Sequence, residues 1–239
     1  MVISGLQLLG IETLYAVLVI VPSLIIFYKT RKLYNFSGYK GLGYFSSAFL
    51  FISLGFLLRY IIILNKTLAG DPFGTIKNFD VLVAGMEFFI VLTGMFLLYS
   101  IVWRRFETSK YSGRIINAPV LFLYLLALVI TILDFILETF ILLYSSQIIL
   151  FGAASIITYR NYRRKRLYSR QFMFISMFLF LIVMVINFFA KITIDQYPII
   201  RFYAYLITVV AVFIFLYITN KLTGEKPVYR LVRSKRKKQ

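Results

Sequence analysis

Cysteine and histidine are both absent from this chain of 239 residues. Their absence excludes disulfide bonds, thiol chemistry, haem ligated by histidine and zinc sites built on either residue type. Acidic residues are also few, because 9 Asp and Glu stand against 27 Lys and Arg. A catalytic site would need a nucleophile with a base, or a set of metal ligands, and the sequence contains no such motif. We therefore expect no enzyme activity, no bound metal and no cofactor.

The apolar content excludes a soluble fold, since hydrophobic residues make up 61% of the chain and the mean hydropathy is +0.85. A membrane-spanning helix needs about 20 mostly apolar residues, and runs of this kind occupy nearly the whole sequence. We predict one membrane domain at residues 1–222, followed by a basic tail at 223–239. No basic residue precedes the first apolar run, so a cleaved signal peptide is not expected.

The apolar runs predict an all-α fold, a bundle of seven transmembrane helices. The difficult stretch is 118–158, which carries no charge except Asp134 and Glu138. A single helix of this length would measure about 60 Å, twice the thickness of the hydrocarbon core. Basic loops flank the stretch on both sides, so the chain must cross an even number of times, and we place a turn at 135–140. The predicted spans are residues 3–27, 42–64, 81–103, 118–136, 140–158, 172–190 and 198–219.

The basic residues indicate how the bundle is oriented. Twenty-two of the 27 Lys and Arg lie in four short segments between or after the spans, at residues 29–40, 104–114, 160–170 and 221–238. Cationic loops beside spanning helices stay in the cytoplasm, which predicts an outer N-terminus and an inner C-terminus. We expect a multi-pass protein of the cell membrane, in a prokaryote. The net charge of +18 then indicates contact with anionic lipid headgroups or docking of a cytoplasmic protein, and not nucleic-acid binding.

A short pattern suggests an internal repeat. Residues 45–51 and 174–180 share the pattern F-x-S-x-F-L-F, and each follows a helix end that enters a basic loop. Spans one to three would then be repeated as spans five to seven in the same orientation, with span four as a linker. Parallel repeats of this kind occur in transporters.

Eight polar residues do not follow the charge rule, because they lie within or beside the spans and toward the predicted outer face. Counting about 1.5 Å per residue from the span ends places five in the outer half of the membrane and three at its outer boundary. An ionisable residue inside a span is a candidate functional residue by default, because it costs roughly 2.5–3.5 kcal/mol on insertion scales. The five deeper residues are Glu12, Arg59, Glu87, Asp134 and Asn187, and the three at the boundary are Glu138, Lys191 and Arg201.

Two interpretations of these residues remain open. Lipid offers them no partner, so they should face the inside of the bundle and pair with one another. Glu12, Glu87 and Asp134 with Arg59 would make a nearly neutral network that lines an outward-facing cavity for a ligand, an ion or a proton. Alternatively, the same groups form salt bridges and hydrogen bonds that only specify helix packing. We favour the cavity.

The topology resembles that of two classes of membrane protein. One comprises the PQ-loop and sugar-efflux transporters, in which a Pro-Gln pair closes the first helix of each repeat; the counterparts here are Pro22-Ser23 and Ala154-Ser155. The other comprises seven-helix sensory modules, including microbial rhodopsins and the membrane sensors of histidine kinases. The resemblance rests on helix number and orientation. A retinal pigment is excluded, because the last span at 198–219 contains no lysine.

Three functions follow as hypotheses. The first is a receptor-like or sensor-like module that binds a ligand in the outer cavity and signals to a cytoplasmic partner. The second is a transporter of a small solute, or one coupled to protons, although no span carries a Gly or Pro break at the depth where transporters bind substrate. The third is a structural subunit of a larger membrane complex.

Overall fold

The computed structural model describes residues 5–68, 80–106, 118–137, 140–164, 168–193 and 198–224. Within these ranges the chain forms seven α-helices and no strands, and all seven are long and apolar enough to cross a membrane. The prediction of an all-α, seven-helix membrane fold is therefore confirmed. The helices are α1 Gly5–Ser37, α2 Lys40–Leu68, α3 Asp80–Phe106, α4 Ala118–Leu137, α5 Ile141–Arg164, α6 Tyr168–Thr193 and α7 Pro198–Gly224.

Contacts between neighbouring helices show that the chain runs up and down through the bundle. Thr13 on α1 bonds to Tyr60 on α2, and Ser46 on α2 bonds to the carbonyl of Phe27 on α1. From the first of these contacts to the second, the residue number rises in α1 and falls in α2, so the two helices are antiparallel. We call the end where α1 begins and α2 ends the predicted outer end, and the opposite end the predicted inner end.

The first and last helices run in the same direction. Glu12 on α1 bonds to Tyr205 on α7, and Lys29 on α1 bonds to Asn220 on α7 with an N–O distance of 2.6 Å. From the first of these contacts to the second, the residue number rises in both helices, so α1 and α7 are parallel. The start of α1 and the end of α7 therefore lie at opposite ends of the bundle, as an odd number of crossings requires. Which end faces the cytoplasm remains a prediction from the charges.

Six helices form a ring, and α4 packs on its outside. Contacts join α1 to α2, α2 to α3, α3 to α5, α5 to α6, α6 to α7 and α7 back to α1, whereas α4 packs against α3 and α5. The buried residues of α4 are Ala127, Thr131 and Asp134. Their spacing of four and three places them on one narrow face. Large apolar side chains cover the remaining faces of α4 and are exposed, as expected for a helix in contact with lipid.

Aromatic rings fill the inside of the bundle from about its middle toward the predicted inner end. Phe215 on α7 contacts Phe45 and Phe49 on α2 and Phe180 on α6, and Phe180 stacks on Phe151 of α5. The ring centroids in these pairs lie 5.1–5.9 Å apart. Offset and edge-to-face rings at such distances are close-packed. The four helices are thus joined by a continuous apolar layer, which we call the aromatic layer.

A helix break separates α4 from α5 inside the long apolar stretch. α4 ends at Leu137 and α5 begins at Ile141, so the break falls where the turn was predicted. Phe140 has a φ of 57°, in the left-handed region that favours glycine. The absence of Gly and Pro therefore did not prevent the turn.

The suggested repeat receives no support from burial. α4 lies outside the ring, where a linker between two three-helix halves would be. However, the equivalent positions of the F-x-S-x-F-L-F pattern differ, since Phe49 is completely buried whereas Phe178 is 45% exposed. The 3+1+3 repeat therefore stays a prediction.

Candidate functional site

Five of the eight polar residues singled out in the sequence can be placed by their side chains. Glu138 lies outside the described residues, and so do the side chains of Lys191 and Arg201, whose backbones belong to α6 and α7. Asn187 is half-buried on α6, and within the described part of the chain it makes no hydrogen bond to the other four. The remaining four, Glu12, Arg59, Glu87 and Asp134, form two separate groups.

The two groups lie at the same depth in the bundle. A Cβ atom on Gly85 of α3 would lie 3.2 Å from Cδ1 of Leu58 on α2, so these residues are neighbours. Arg59 follows Leu58, and Glu87 follows Gly85 by two positions. The expectation that the polar residues share one level is therefore consistent with the helix packing.

The first group joins α1, α2 and α7. Nη2 of Arg59 donates to both carboxylate oxygens of Glu12, at 3.0 Å each. It also donates to the hydroxyl of Tyr205, which in turn donates to Oε1 of Glu12 at 2.5 Å. We call Glu12, Arg59 and Tyr205 the ion-pair network. One positive and one negative charge are matched within it, and the tyrosine hydroxyl is used as both donor and acceptor.

Two stacked tyrosine rings lie beside the guanidinium of this network. The rings of Tyr15 and Tyr205 are stacked with centroids 4.2 Å apart. Cζ of Arg59 lies 4.6 Å from the centroid of Tyr205 and 5.2 Å from that of Tyr15, within the range of cation–π interaction. Neither tyrosine was predicted from the sequence. Tyr15 follows Glu12 by three positions and so lies on the same helix face, which is the signal that could have identified it.

The second group lies between α3, α4 and α5, and Asp134 is its member with hydrogen bonds to the backbone. The Asp134 carboxylate accepts hydrogen bonds from the backbone N–H groups of Leu142, at 3.0 Å, and Leu143, at 3.3 Å. These amides lie in the first turn of α5, where backbone donors have no partner within the helix. Asp134 therefore caps α5 from the preceding helix, a role that its position before the predicted turn did not reveal.

Glu87 is the second acid of this group. It is 3% exposed, and its Oε2 has no hydrogen-bond partner among the described residues. Its carboxylate is close enough to that of Asp134 for the two to interact electrostatically. Within the described part of the chain the only ion pair is that of Arg59 with Glu12, so neither Glu87 nor Asp134 has a cationic partner there.

Two uncharged polar side chains lie between the same helices, Thr131 one turn from Asp134 and Gln147 further toward the predicted inner end. The hydroxyl of Thr131 and both amide atoms of Gln147 are buried without a hydrogen-bond partner among the described residues. A Cβ atom on Gly94 would lie 2.4 Å from Oε1 of Gln147, so this glycine leaves room for the amide against α3. We call Glu87, Thr131, Asp134 and Gln147 the acidic cluster. Sequence reasoning missed Thr131 and Gln147 because it searched for charged residues.

The single network expected from the sequence is thus divided in two. Arg59 is directed toward α1 and α7, whereas Leu58, the residue before it, contacts α3. Successive residues point about 100° apart on a helix, so one side chain cannot serve both sides of α2. Arg59 neutralises Glu12 and leaves the two acids between α3, α4 and α5 without it.

The chemistry available to the acidic cluster is that of a cation site. Carboxylate, amide and hydroxyl oxygens are the ligands of hard cations, and carboxylates also bind protons and organic ammonium groups. Groups of three or more acids, His or Cys that could hold a metal are absent from the described residues. A cation here would therefore be held by two carboxylates and neutral oxygens.

Comparison with known proteins leaves the function open. No model of a known protein family matches the chain, and no solved structure matches it. The chain is 25% identical over 185 residues to an uncharacterized protein of the archaeon Archaeoglobus fulgidus. The similarity covers 73% of this chain and 78% of that protein, so it includes most of the helical bundle.

Proposed function

We propose that this multi-pass membrane protein is a receptor-like module that binds a small cationic ligand at the acidic cluster, from the predicted outer face. The observation that carries the proposal is the set of buried polar atoms without a hydrogen-bond partner among the described residues. Oε2 of Glu87 and Oγ1 of Thr131, one turn from Asp134, are two of them, and the amide of Gln147 lies further toward the predicted inner end, against Gly94. An unsatisfied buried polar group costs about 1–3 kcal/mol, and charged groups cost more. A cation bound by the two carboxylates and the Thr131 hydroxyl would remove the part of that cost that falls on these oxygens.

The charge of the cluster sets the sign of the ligand. Two acids lie within electrostatic range of one another, and the described residues provide them with no Lys or Arg. Like charges in a medium of low dielectric constant repel one another strongly, and a bound cation relieves this repulsion. An anionic or apolar ligand would leave the repulsion in place.

The depth of the two acids favours a receptor-like function over transport. Phe151 follows Gln147 by one helical turn on α5 and stacks on Phe180, so apolar rings lie next to the cluster on the predicted inner side. Phe180 and Phe215 continue this layer across the bundle. A transporter places its site near the bilayer midplane, between halves that move to expose it alternately. Glu87 and Asp134 instead lie in the predicted outer half, two turns from the start of α3 and one turn from the end of α4.

The setting of the protein follows from the same features. The basic inner segments would contact anionic lipid headgroups, and a cytoplasmic protein docked there would receive the signal. The archaeal relative supports a prokaryotic cell membrane as the location. The absence of enzyme activity remains a prediction from the sequence.

Thermal unfolding of the reconstituted protein tests the proposal. The full chain in neutral nanodiscs would be titrated with sodium, potassium, calcium or a methylammonium salt at constant ionic strength, while the fluorescence of its single tryptophan, Trp103, is followed. One of these cations should stabilise the protein in a saturable manner, by about 2.7 kcal/mol at 100 times its Kd. Glu87→Gln should remove this stabilisation. Tyr205→Phe, a matched change in the ion-pair network, should preserve it.

Other results would redirect or refute the proposal. Saturable flux of the same cation through vesicles, abolished by Glu87→Gln, would make the protein a transporter. Protonation in place of metal binding would appear as a stability that depends on pH and not on the salt, again only with Glu87 present. If every cation stabilised the protein and this response remained in Glu87→Gln, the cation site would be refuted and the cluster would be a structural element.

A further inference from the structure

A second polar site lies at the opposite end of the bundle from the acidic cluster. A cavity of about 260 Å³ opens between α1, α2, α3 and α4 near the short connection between Ser37 and Lys40. Sites for drug-sized ligands begin at about 300 Å³, so this cavity suits a smaller group. Its polar lining residues are Arg31, Tyr34, Lys40, Tyr44, Ser47 and Tyr124.

Cationic and hydroxyl-bearing side chains line the cavity. The cationic residues are Arg31 and Lys40, and they lie beside three tyrosines and Ser47, whose hydroxyl donates to the carbonyl of Gly43. No acid is among the described residues that line the cavity. A guanidinium, an ammonium and phenolic hydroxyls are the groups that bind phosphate oxygens. The cavity therefore has the chemistry of an anion site.

The walls of the cavity are held in place by ring packing. Tyr44 contacts Tyr99 with centroids 4.7 Å apart, and Tyr124 contacts Phe96 at 5.5 Å. Arg31 lies over the ring of Tyr34 at 5.2 Å. A Cβ atom on Gly43 would lie 3.3 Å from the same ring, so the backbone of α2 approaches it closely. Donors placed by packed rings lose little conformational freedom when they bind.

One wall of the cavity belongs to the lipid-facing helix. Val120 and Tyr124 come from α4, and their neighbours Leu121, Phe122 and Leu125 are exposed large apolar residues. A lipid whose phosphate enters the cavity could thus lay its acyl chains along α4. The cavity also lies at the end that carries the basic segments, where the headgroup region of the inner leaflet is predicted to be.

We propose that this cavity binds a phosphate-type anion, either the headgroup of an anionic phospholipid or a soluble phosphate. Arg31 and Lys40 supply the charge, and the hydroxyls of Tyr34, Tyr44 and Tyr124 supply further hydrogen bonds. The site is independent of the acidic cluster, because the two share no residue.

The fluorescence of Trp103 provides a direct test. Its ring contacts that of Tyr39, the neighbour of Lys40, with centroids 5.3 Å apart. The full chain would be placed in phosphatidylcholine nanodiscs containing increasing fractions of phosphatidylglycerol, and in a second series inorganic phosphate would be added to discs without phosphatidylglycerol. Saturation in the first series alone identifies a lipid headgroup, and saturation in the second identifies a soluble phosphate.

Matched variants separate the site from general attraction to an anionic surface. The double variant Arg31→Gln with Lys40→Gln should raise the phosphatidylglycerol fraction, or the phosphate concentration, at half-saturation roughly tenfold. The control pair Lys32→Gln with Arg160→Gln removes the same charge at the same end and should raise it less. Tyr124→Phe, which changes no charge, should raise it by a smaller factor. Equal behaviour of the cavity pair and the control pair, with no effect of Tyr124→Phe, would overturn the proposal. So would a linear response without saturation in both series.

Discussion

The ion-pair network and the two acids of the acidic cluster lie at a similar depth of one bundle, and their polar groups are satisfied in different ways. In the ion-pair network the Glu12 carboxylate accepts hydrogen bonds from both Arg59 and Tyr205. In the acidic cluster one oxygen of Glu87 and the whole amide of Gln147 have no partner among the described residues. An intramembrane charge is therefore a weak indication of function by itself. The informative feature is whether its partners are supplied by the protein.

The position of α4 explains why the two differ. The ion-pair network lies where α1, α2 and α7 meet within the ring, and it connects the first helix to the last. The acidic cluster lies under α4, a helix outside the ring that buries only three residues, two of them polar. Asp134 joins α4 to α5 through two hydrogen bonds, whereas Oγ1 of Thr131 and Oε2 of Glu87 have no partner among the described residues. This supports a role in binding for the acidic cluster and a structural role for the ion-pair network.

Removing the positive charge from the ion-pair network should have the largest effect. Arg59→Gln leaves the buried carboxylate of Glu12 without its cation, and we expect a loss of about 3–5 kcal/mol of stability. Glu12→Gln with Arg59→Gln removes both charges and should recover part of this loss. Unfolding in detergent, followed by Trp103 fluorescence, measures both. A loss no greater than that of the exposed-site control Lys32→Gln would contradict the structural role of the pair.

The close approach of α3 to Gln147 predicts an intermediate effect. Gly94→Ala would place Cβ 2.4 Å from Oε1 of Gln147, so the buried amide must move. We expect a loss of about 1–3 kcal/mol, the usual cost of overpacking, together with a weaker response to the cation. Gly152→Ala is the matched control, because no atom lies within 4 Å of its added Cβ. Equal unfolding midpoints for the two variants would show that the amide is not confined there.

The cap on α5 predicts a smaller effect. Asp134→Ala leaves the N–H groups of Leu142 and Leu143 without their acceptor and should cost about 0.5–2 kcal/mol, as loss of a helix cap does. Hydrogen exchange should become faster at these two amides in particular. Thr131→Ala, one turn away on the same face, should leave the exchange of both amides unchanged. Unaltered protection in Asp134→Ala would mean that the cap has little energetic importance.

The sequence predicted the fold better than it predicted the site, and particular residues show why. Charge in the loops and apolar run length are properties of single segments, so they sufficed for seven helices and for the break between α4 and α5. Which side chains pair with one another depends on which helix faces meet in the bundle. Three acids lie at the depth of Arg59, and only the order of helices around the ring determines that Glu12 is the one it binds. Gln147 carries no charge, so only the packing of α5 against Gly94 identifies it.

Reactivity of a single introduced thiol would test most directly whether the acidic cluster attracts cations. The chain contains no cysteine, so Thr131→Cys creates one thiol a single helical turn from Asp134, and Thr13→Cys creates a control beside the ion-pair network. Each variant in sealed vesicles would be treated from outside with a cationic and an anionic thiosulfonate of similar size. The proposal predicts that Thr131→Cys reacts faster with the cationic reagent, that Glu87→Gln abolishes this preference, and that Thr13→Cys shows no such dependence on Glu87. Equal rates for the two reagents at position 131, or a preference that survives Glu87→Gln, would contradict it.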